Sequence, residues 1–316
     1  MGTREVTFAS GPVRLAGTLG LPQQEAVHAG VVLVGGSGDS DRNNDTLFPP
    51  LRRHLLSAGF AVLSYDKRGV GESSGDWRAV TLAELAADAA AALDLLRSQP
   101  ELDCGTVGLF GHSEGGWVVL RAAAGRDDIP WVVTNSCPAV SPAEQERYAL
   151  ACHLASSHAD CPQDHARTLA LYDRLIEAGR GGADFATAAR IVDAAGQPPG
   201  LAYFWADMDE PLWTFLRRKQ DHNPVRDLRR LRCPHLAFFG GEDSLVPVAD
   251  SVHTLSRTAC DAARPRRATL TVDVFPGANH RLQLPDTTEL VPGYLDRLNG
   301  WLRQHRPSGG QWRCPV

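Results

Sequence analysis

A serine hydroxyl becomes a nucleophile only when a base takes its proton and a third group orients that base. Ser113 is the residue of this chain best placed for such work. It sits at the centre of Gly111-His112-Ser113-Glu114-Gly115. An apolar, β-branched run, Val107 to Phe110, precedes it, and a helix-forming stretch, Trp117 to Ala124, follows. Strand, tight turn and helix is the context in which Gly-x-Ser-x-Gly forms a nucleophile elbow. The residues two before and two after the serine must then be small, because a Cβ there would collide with backbone. Gly111 and Gly115 meet that need. The turn also sets Ser113 at a helix N-terminus, where amide N–H groups and the helix dipole favour negative charge.

The partners of such a serine gather on loops beyond the C-terminal ends of parallel strands. His280 directly follows the last β-run, Thr269 to Phe275, and is the expected base. His222 is the alternative, and His112 projects beside Ser113 from within the elbow itself. Asp243 lies in the loop after the preceding strand and is the expected orienting carboxylate. Glu242 is adjacent, but Val246-Pro247 would open the next helix just past Asp243. The chain order serine, aspartate, histidine agrees with this geometry. Two backbone amides must face the developing oxyanion. The expected pair is the N–H of Glu114 and that of Ser37, with Gly38 as the alternative to Ser37. The loop Gly35-Gly36-Ser37-Gly38 lacks the Gly-Lys-Ser/Thr ending of a phosphate-binding loop.

The elements that carry these residues alternate. Glu5–Ala9 and Arg14–Leu19, joined at Gly11-Pro12, predict a hairpin. Gly30–Val34, Phe60–Tyr65, Val107–Phe110, Trp131–Asn135 and His235–Phe239 predict buried strands. Helical patterns separate them, one opened by the capping box Thr81-Leu82-Ala83-Glu84. Val291, Leu295, Leu298 and Leu302 mark one face of a final helix. This rhythm predicts an α/β chain with a doubly wound, mostly parallel sheet and an N-terminal antiparallel hairpin. Between Pro138 and Pro224 no buried β-run occurs, so a helical cap insertion is expected, with an interruption at Gly179–Gly182. Its aromatic cluster includes Tyr203, Phe204, Trp205, Trp213 and Phe215. It is expected to supply the insertion's own core, with Tyr203, Trp205 and Trp213 as candidate substrate contacts beside Gly38, His112 and His222. The resulting division is core residues 1–137, insertion 138–224, core 225–306 and a loose tail 307–316.

Gly-Ser-Gly-x-x-Asp-Arg at 36–42, Asp-Lys-Arg-Gly-Val-Gly-Glu-Ser at 66–73 and Gly-His-Ser-Glu-Gly-Gly at 111–116 carry a resemblance. Over nearly its whole length the chain resembles the α/β-hydrolase superfamily, and within it the serine carboxylesterases of the EstD type. That subgroup is similar to dienelactone hydrolases, acyl-CoA acyltransferases and peptidases of the S9/S15 type. The resemblance implies an α/β-hydrolase fold and hydrolysis of a carboxylic ester, lactone or thioester by Ser113, Asp243 and His280. Acyl transfer or peptide cleavage by the same residues is the alternative, and a non-catalytic scaffold a third reading. Asp39 stands where members of the subgroup often have proline. The side chain of Glu114 is expected to support a neighbouring loop through Arg42 or Arg68, or to select substrate. Asp66 and Arg68 are expected to lock loops.

Bulk properties set bounds. The 316 residues suit one large α/β domain with an insertion. A net charge of −5 gives no reason to expect nucleic acid or an anionic membrane as partner. No run of about 18 apolar residues occurs. Seven scattered cysteines without a Cys-x-x-Cys pair read as a reduced set, so the cytoplasm is the expected location. No cluster has metal-ligand spacing, and neither cofactor nor metal is expected. The partner is a small-molecule acyl substrate; a homodimer is compatible with the sequence.

Overall fold

The computed structural model describes residues 2–23, 29–102, 106–156 and 162–305. The tail 307–316, expected to be loose, lies outside the described residues. The two N-terminal runs pair as an antiparallel hairpin, β1 (Gly2–Ser10) and β2 (Val13–Leu21). The apolar runs then form β3 (Gly30–Val34), β4 (Ala61–Tyr65), β5 (Val107–His112), β6 (Val132–Asn135), β7 (His235–Gly240) and β8 (Leu270–Phe275). The eight strands make one sheet in the order β1-β2-β4-β3-β5-β6-β7-β8. β2 meets β4 antiparallel, and every later pairing is parallel. Every residue of β3 to β7 is buried. That burial requires helices on both faces, which is why these strands read as continuous apolar runs rather than alternating ones.

One face is covered by α1 (Phe48–Ser57) and α11 (Tyr294–Gln304), with Phe48, Leu51, Tyr294 and Leu298 buried against Val31, Leu33, Phe110 and Phe238. The other carries α2 (Leu82–Arg97), α3 (Glu114–Ala123) and α10 (Val248–Ala259). The capping box at α2 is formed in both directions between Thr81 and Glu84. α11 begins at Tyr294, so Val291 is buried ahead of the helix rather than on its face.

Between β6 and β7 the described residues are helical: α4 (Pro142–Ser156), α5 (Pro162–Arg180), α6 (Phe185–Ala194), α7 (Ala202–Trp205), α8 (Glu210–Lys219) and α9 (Pro224–Arg230). Leu171, Leu175, Val192 and Trp213 form a core internal to α5, α6 and α8. Leu228 of α9 instead joins the main core. The interruption expected at Gly179 starts later, because α5 continues through Gly179 to Arg180. A Cβ at Gly179 would lie 3.0 Å from Gln220 Oε1, so the residue serves close packing of α5 against the end of α8.

Candidate active site

The turn after β5 carries Ser113 at φ 54°, ψ −123°, in the left-handed half of the map that side chains avoid. Such a conformation costs on the order of 1–3 kcal/mol and persists only where its surroundings over-determine it. Here they do. The Ser113 N–H donates to Asn135 O at 2.9 Å, and its carbonyl accepts from Gly116 N at 2.8 Å. A Cβ at Gly111 would lie 2.2 Å from Gly115 O, and one at Gly115 would lie 2.3 Å from Val34 O. The two glycines are therefore required by contact. The elbow is clasped between β5, the start of α3 and the end of β3.

His280 follows β8, and its Nδ1–H donates to Asp243 Oδ2 at 2.8 Å. The Asp243 side chain is fully buried, and its Oδ1 accepts from Leu245 N at 2.8 Å and Val246 N at 3.0 Å. Both carboxylate oxygens are thus occupied, which fixes the imidazole with Nε2 as its free nitrogen. The neighbouring Glu242 is exposed. The His280 ring packs on that of His112, the residue before Ser113, with centroids 4.8 Å apart. This contact brings Asp243 and His280 to the turn that carries Ser113, at the C-terminal edge of β5, β7 and β8.

His112 supports this cluster from below. Its Nδ1 accepts from Asn135 Nδ2 at 3.2 Å, and Asn135 Oδ1 accepts from the Tyr294 hydroxyl at 2.8 Å. Burial, with His280 and Arg281 nearby, holds His112 well below the usual imidazole range.

The loop after β3 reaches across the elbow. A Cβ at Gly36 would lie 3.4 Å from Ser113 Cβ. The Gly36 N–H is spent on Asn44 Oδ1 at 3.0 Å, whereas the amides of Ser37 and Glu114 donate to no protein acceptor among the described residues. A cavity of about 450 Å³ opens on Ser37 and Gly38 and runs under Trp77, Tyr203, Phe215 and Lys219.

The Glu114 side chain goes neither to Arg42 nor to Arg68. Arg42 binds Asp66, and Arg68 binds Asp88 through two hydrogen bonds. Glu114 is buried between Lys67 Nζ at 3.0 Å and Lys219 Nζ at 2.5 Å. Burial alone would raise its carboxyl; the two ammonium groups outweigh that and hold it at about 2.

The remaining candidates separate. Tyr203 is exposed at the cavity and stacks on His153. Trp213 is buried in the insertion's own core, with Nε1–H donating to Ala183 O at 2.9 Å, and Trp205 packs beside it. His222 lies against Trp117 and near Asp227, away from the His280 cluster. Its burial and the neighbouring Arg121, Lys219 and Arg226 lower it to about 4. Lys67 and Lys219 escaped the sequence reading because each stands beside arginines, in Asp-Lys-Arg and Arg-Arg-Lys, and looks like part of a solvated run. The Asn135–Tyr294 pair left no local signal, since its members are far apart in the chain.

Residues 31–292 match the profile of the alpha/beta hydrolase family. The chain belongs to that family. This alpha/beta hydrolase is 24% identical over 245 residues to an uncharacterised 31.7 kDa protein of the traX-finO intergenic region of Escherichia coli, covering 74% of this chain and 79% of that one. It is 30% identical over 135 residues to the quorum-quenching protein AidA of Acinetobacter baumannii (strain MDR-ZJ06), covering 42% of this chain and 43% of AidA. Among solved structures it resembles the Pyrococcus furiosus esterase Pf2001, with a TM-score of 0.61 at 19% identity over 96% of this chain and 91% of that one. At that identity the likeness shows the fold alone. No helix among the described residues is long and apolar enough to cross a membrane.

Proposed function

We propose that this alpha/beta hydrolase cleaves a carboxylic ester, lactone or thioester of a small to medium acyl substrate through an acyl-enzyme on Ser113. The observation that carries the reading is the His280 Nδ1–Asp243 Oδ2 bond beside a serine held at φ 54°. His280 Nε2 takes the Ser113 proton as Oγ attacks the carbonyl carbon. The proton then passes to the leaving oxygen or sulfur as its bond to carbon breaks. Water, deprotonated by the same nitrogen, then attacks the acyl carbon; the carbon's bond to Ser113 Oγ breaks, the acid leaves, and the proton returns from His280 to Oγ. The free amides of Ser37 and Glu114 are suited to hold the tetrahedral oxyanion.

The helices from α4 to α8 act as a cap. Tyr203 contacts substrate from it, while Trp205 and Trp213 give it rigidity. The unpaired Cys137, Cys152, Cys233 and Cys260 agree with a reducing compartment such as the cytoplasm. Ser113→Ala tests the reaction. It should lower kcat on p-nitrophenyl acetate by about 10³-fold or more, with an unchanged thermal midpoint. Undiminished turnover by a folded Ser113→Ala protein would sink the proposal. Product analysis with a competing amine separates hydrolysis from acyl transfer.

A further inference from the structure

Lys67 and Lys219 converge on Glu114 from opposite sides of the site. Lys67 follows β4 in the sheet, and Lys219 ends α8 in the insertion. All three side chains are at least nine-tenths buried. Lys67 Nζ also donates to Gly36 O at 2.5 Å. Every described peptide bond is trans, so a carbonyl and the following N–H lie in one plane and point in opposite directions. Holding Gly36 O toward Lys67 therefore turns the Ser37 N–H the other way. The same ammonium grips Glu114, whose own backbone N–H is the second free amide.

We propose that Lys67, Glu114 and Lys219 form one buried bridge that sets both oxyanion-binding amides, and that Lys219 makes this setting depend on how the cap is docked. The proposal rests on the serine-hydrolase reading and deepens it. These are positioning residues, since they act through the two amides and only the backbone of Glu114 would touch the reacting carbonyl.

Independent contacts run in the same direction. The Lys67 ammonium lies 5.5 Å from the centre of the Trp77 ring, and that of Lys219 lies 4.6 Å from the centre of Phe215. The two rings meet edge to face at 5.0 Å. Trp77 Nε1–H donates to Asp39 Oδ1 at 2.6 Å, two residues beyond Ser37. The Lys67 N–H donates to Ser40 O at 3.0 Å. The loop from Gly36 to Ser40 is thus fastened to Lys67 at two carbonyls and, through Trp77 and Phe215, to the cap. A cap displaced by substrate entry would loosen Glu114 and the loop together. A cap in place would restore both donors.

The test uses Lys67→Met and Lys219→Met in the full chain, with p-nitrophenyl acetate as substrate. An aryl trifluoromethyl ketone, whose serine adduct carries an oxyanion, serves as inhibitor. An oxyanion donor acts mainly in the transition state. Lys67→Met should therefore lower kcat by about 10²-fold and Lys219→Met by about 10-fold. KM should stay within about 3-fold. Ketone affinity should fall in parallel with kcat/KM. Should Lys67→Met fail to fold, Lys219→Met decides, because its side chain projects from the cap rather than the sheet. A folded variant that keeps kcat, or that loses activity through KM with ketone affinity intact, overturns the bridge. If the unaltered protein neither turns over esters nor binds the ketone, the hydrolase reading fails first. If it does both and the variants match it, only the bridge fails.

Discussion

Replacing Asp243 with asparagine removes one charge and almost no volume, and the surrounding hydrogen bonds dictate the outcome. Oδ1 accepts from two backbone N–H groups, of Leu245 and Val246, while Oδ2 accepts from His280 Nδ1. An asparagine must keep its carbonyl oxygen on the two N–H groups. Turning its NH2 toward them would leave buried donors unsatisfied at about 1–3 kcal/mol each. The NH2 therefore faces Nδ1, which must become an acceptor. His280 then carries its proton on Nε2, the nitrogen that has to receive the Ser113 proton. In Ser-His-Asp enzymes the wrong tautomer costs about 10⁴-fold in kcat, or about 5.5 kcal/mol of transition-state stabilisation. Both backbone bonds survive, so the thermal midpoint should stay within a few degrees of the unaltered protein. The assay is kcat on p-nitrophenyl acetate at neutral pH beside a thermal melt. Asp243→Asn activity within about 10-fold of the unaltered protein would show that Asp243 does not orient the base. A collapse of stability would show that the backbone bonds were misjudged.

Glu114 predicts an acid-sensitive fold. An unfolded glutamate titrates near 4.5, whereas Lys219 and Lys67 hold this buried one at about 2. Its contribution is present above pH 4.5 and is lost as pH falls toward 2. That contribution is at most about 3 kcal/mol, and less in practice because burial lowers Lys67 in turn. Urea unfolding of Glu114→Gln at about pH 5 and about pH 3 should show a weaker pH dependence than the unaltered protein; an equal dependence would contradict the assignment. Trp213→Ala should destabilise the protein by about 3–5 kcal/mol, because the side chain is buried in the core internal to α5, α6 and α8. Tyr203→Ala, exposed at the cavity, should change stability by less than about 0.5 kcal/mol and act mainly on KM across ester chain lengths. Paired melts and kinetics check both, and a reversal of the two effects would place the substrate contact elsewhere.

Legibility in the chain tracks its periodicity. β3 to β7 are buried on both faces, so each appears as an unbroken apolar run with bounds close to those in the structure. The capping box at Thr81 was equally direct, since its chemistry is local to four residues. The strained turn at Ser113 was readable because an elbow demands glycines at fixed offsets, and the pairing of His280 with Asp243 because each follows a strand. The bridge through Lys67 and Lys219 was not readable. It joins residues 152 positions apart in the chain through a carboxylate that sequence alone could as well have paired with Arg42 or Arg68. Trp205 and Trp213 were ambiguous for another reason. An aromatic cluster in an insertion fills a core or lines a pocket with the same residue types, and only packing separates Trp213 from Tyr203.

The central claim is that Ser113 is the nucleophile. A fluorophosphonate is the most direct probe of it, because an activated serine displaces fluoride and keeps the phosphonyl group. Intact mass followed by peptide mapping should show one adduct per chain, on Ser113, and none in Ser113→Ala. An unlabelled protein, or an adduct on another residue that persists in Ser113→Ala, would contradict the account.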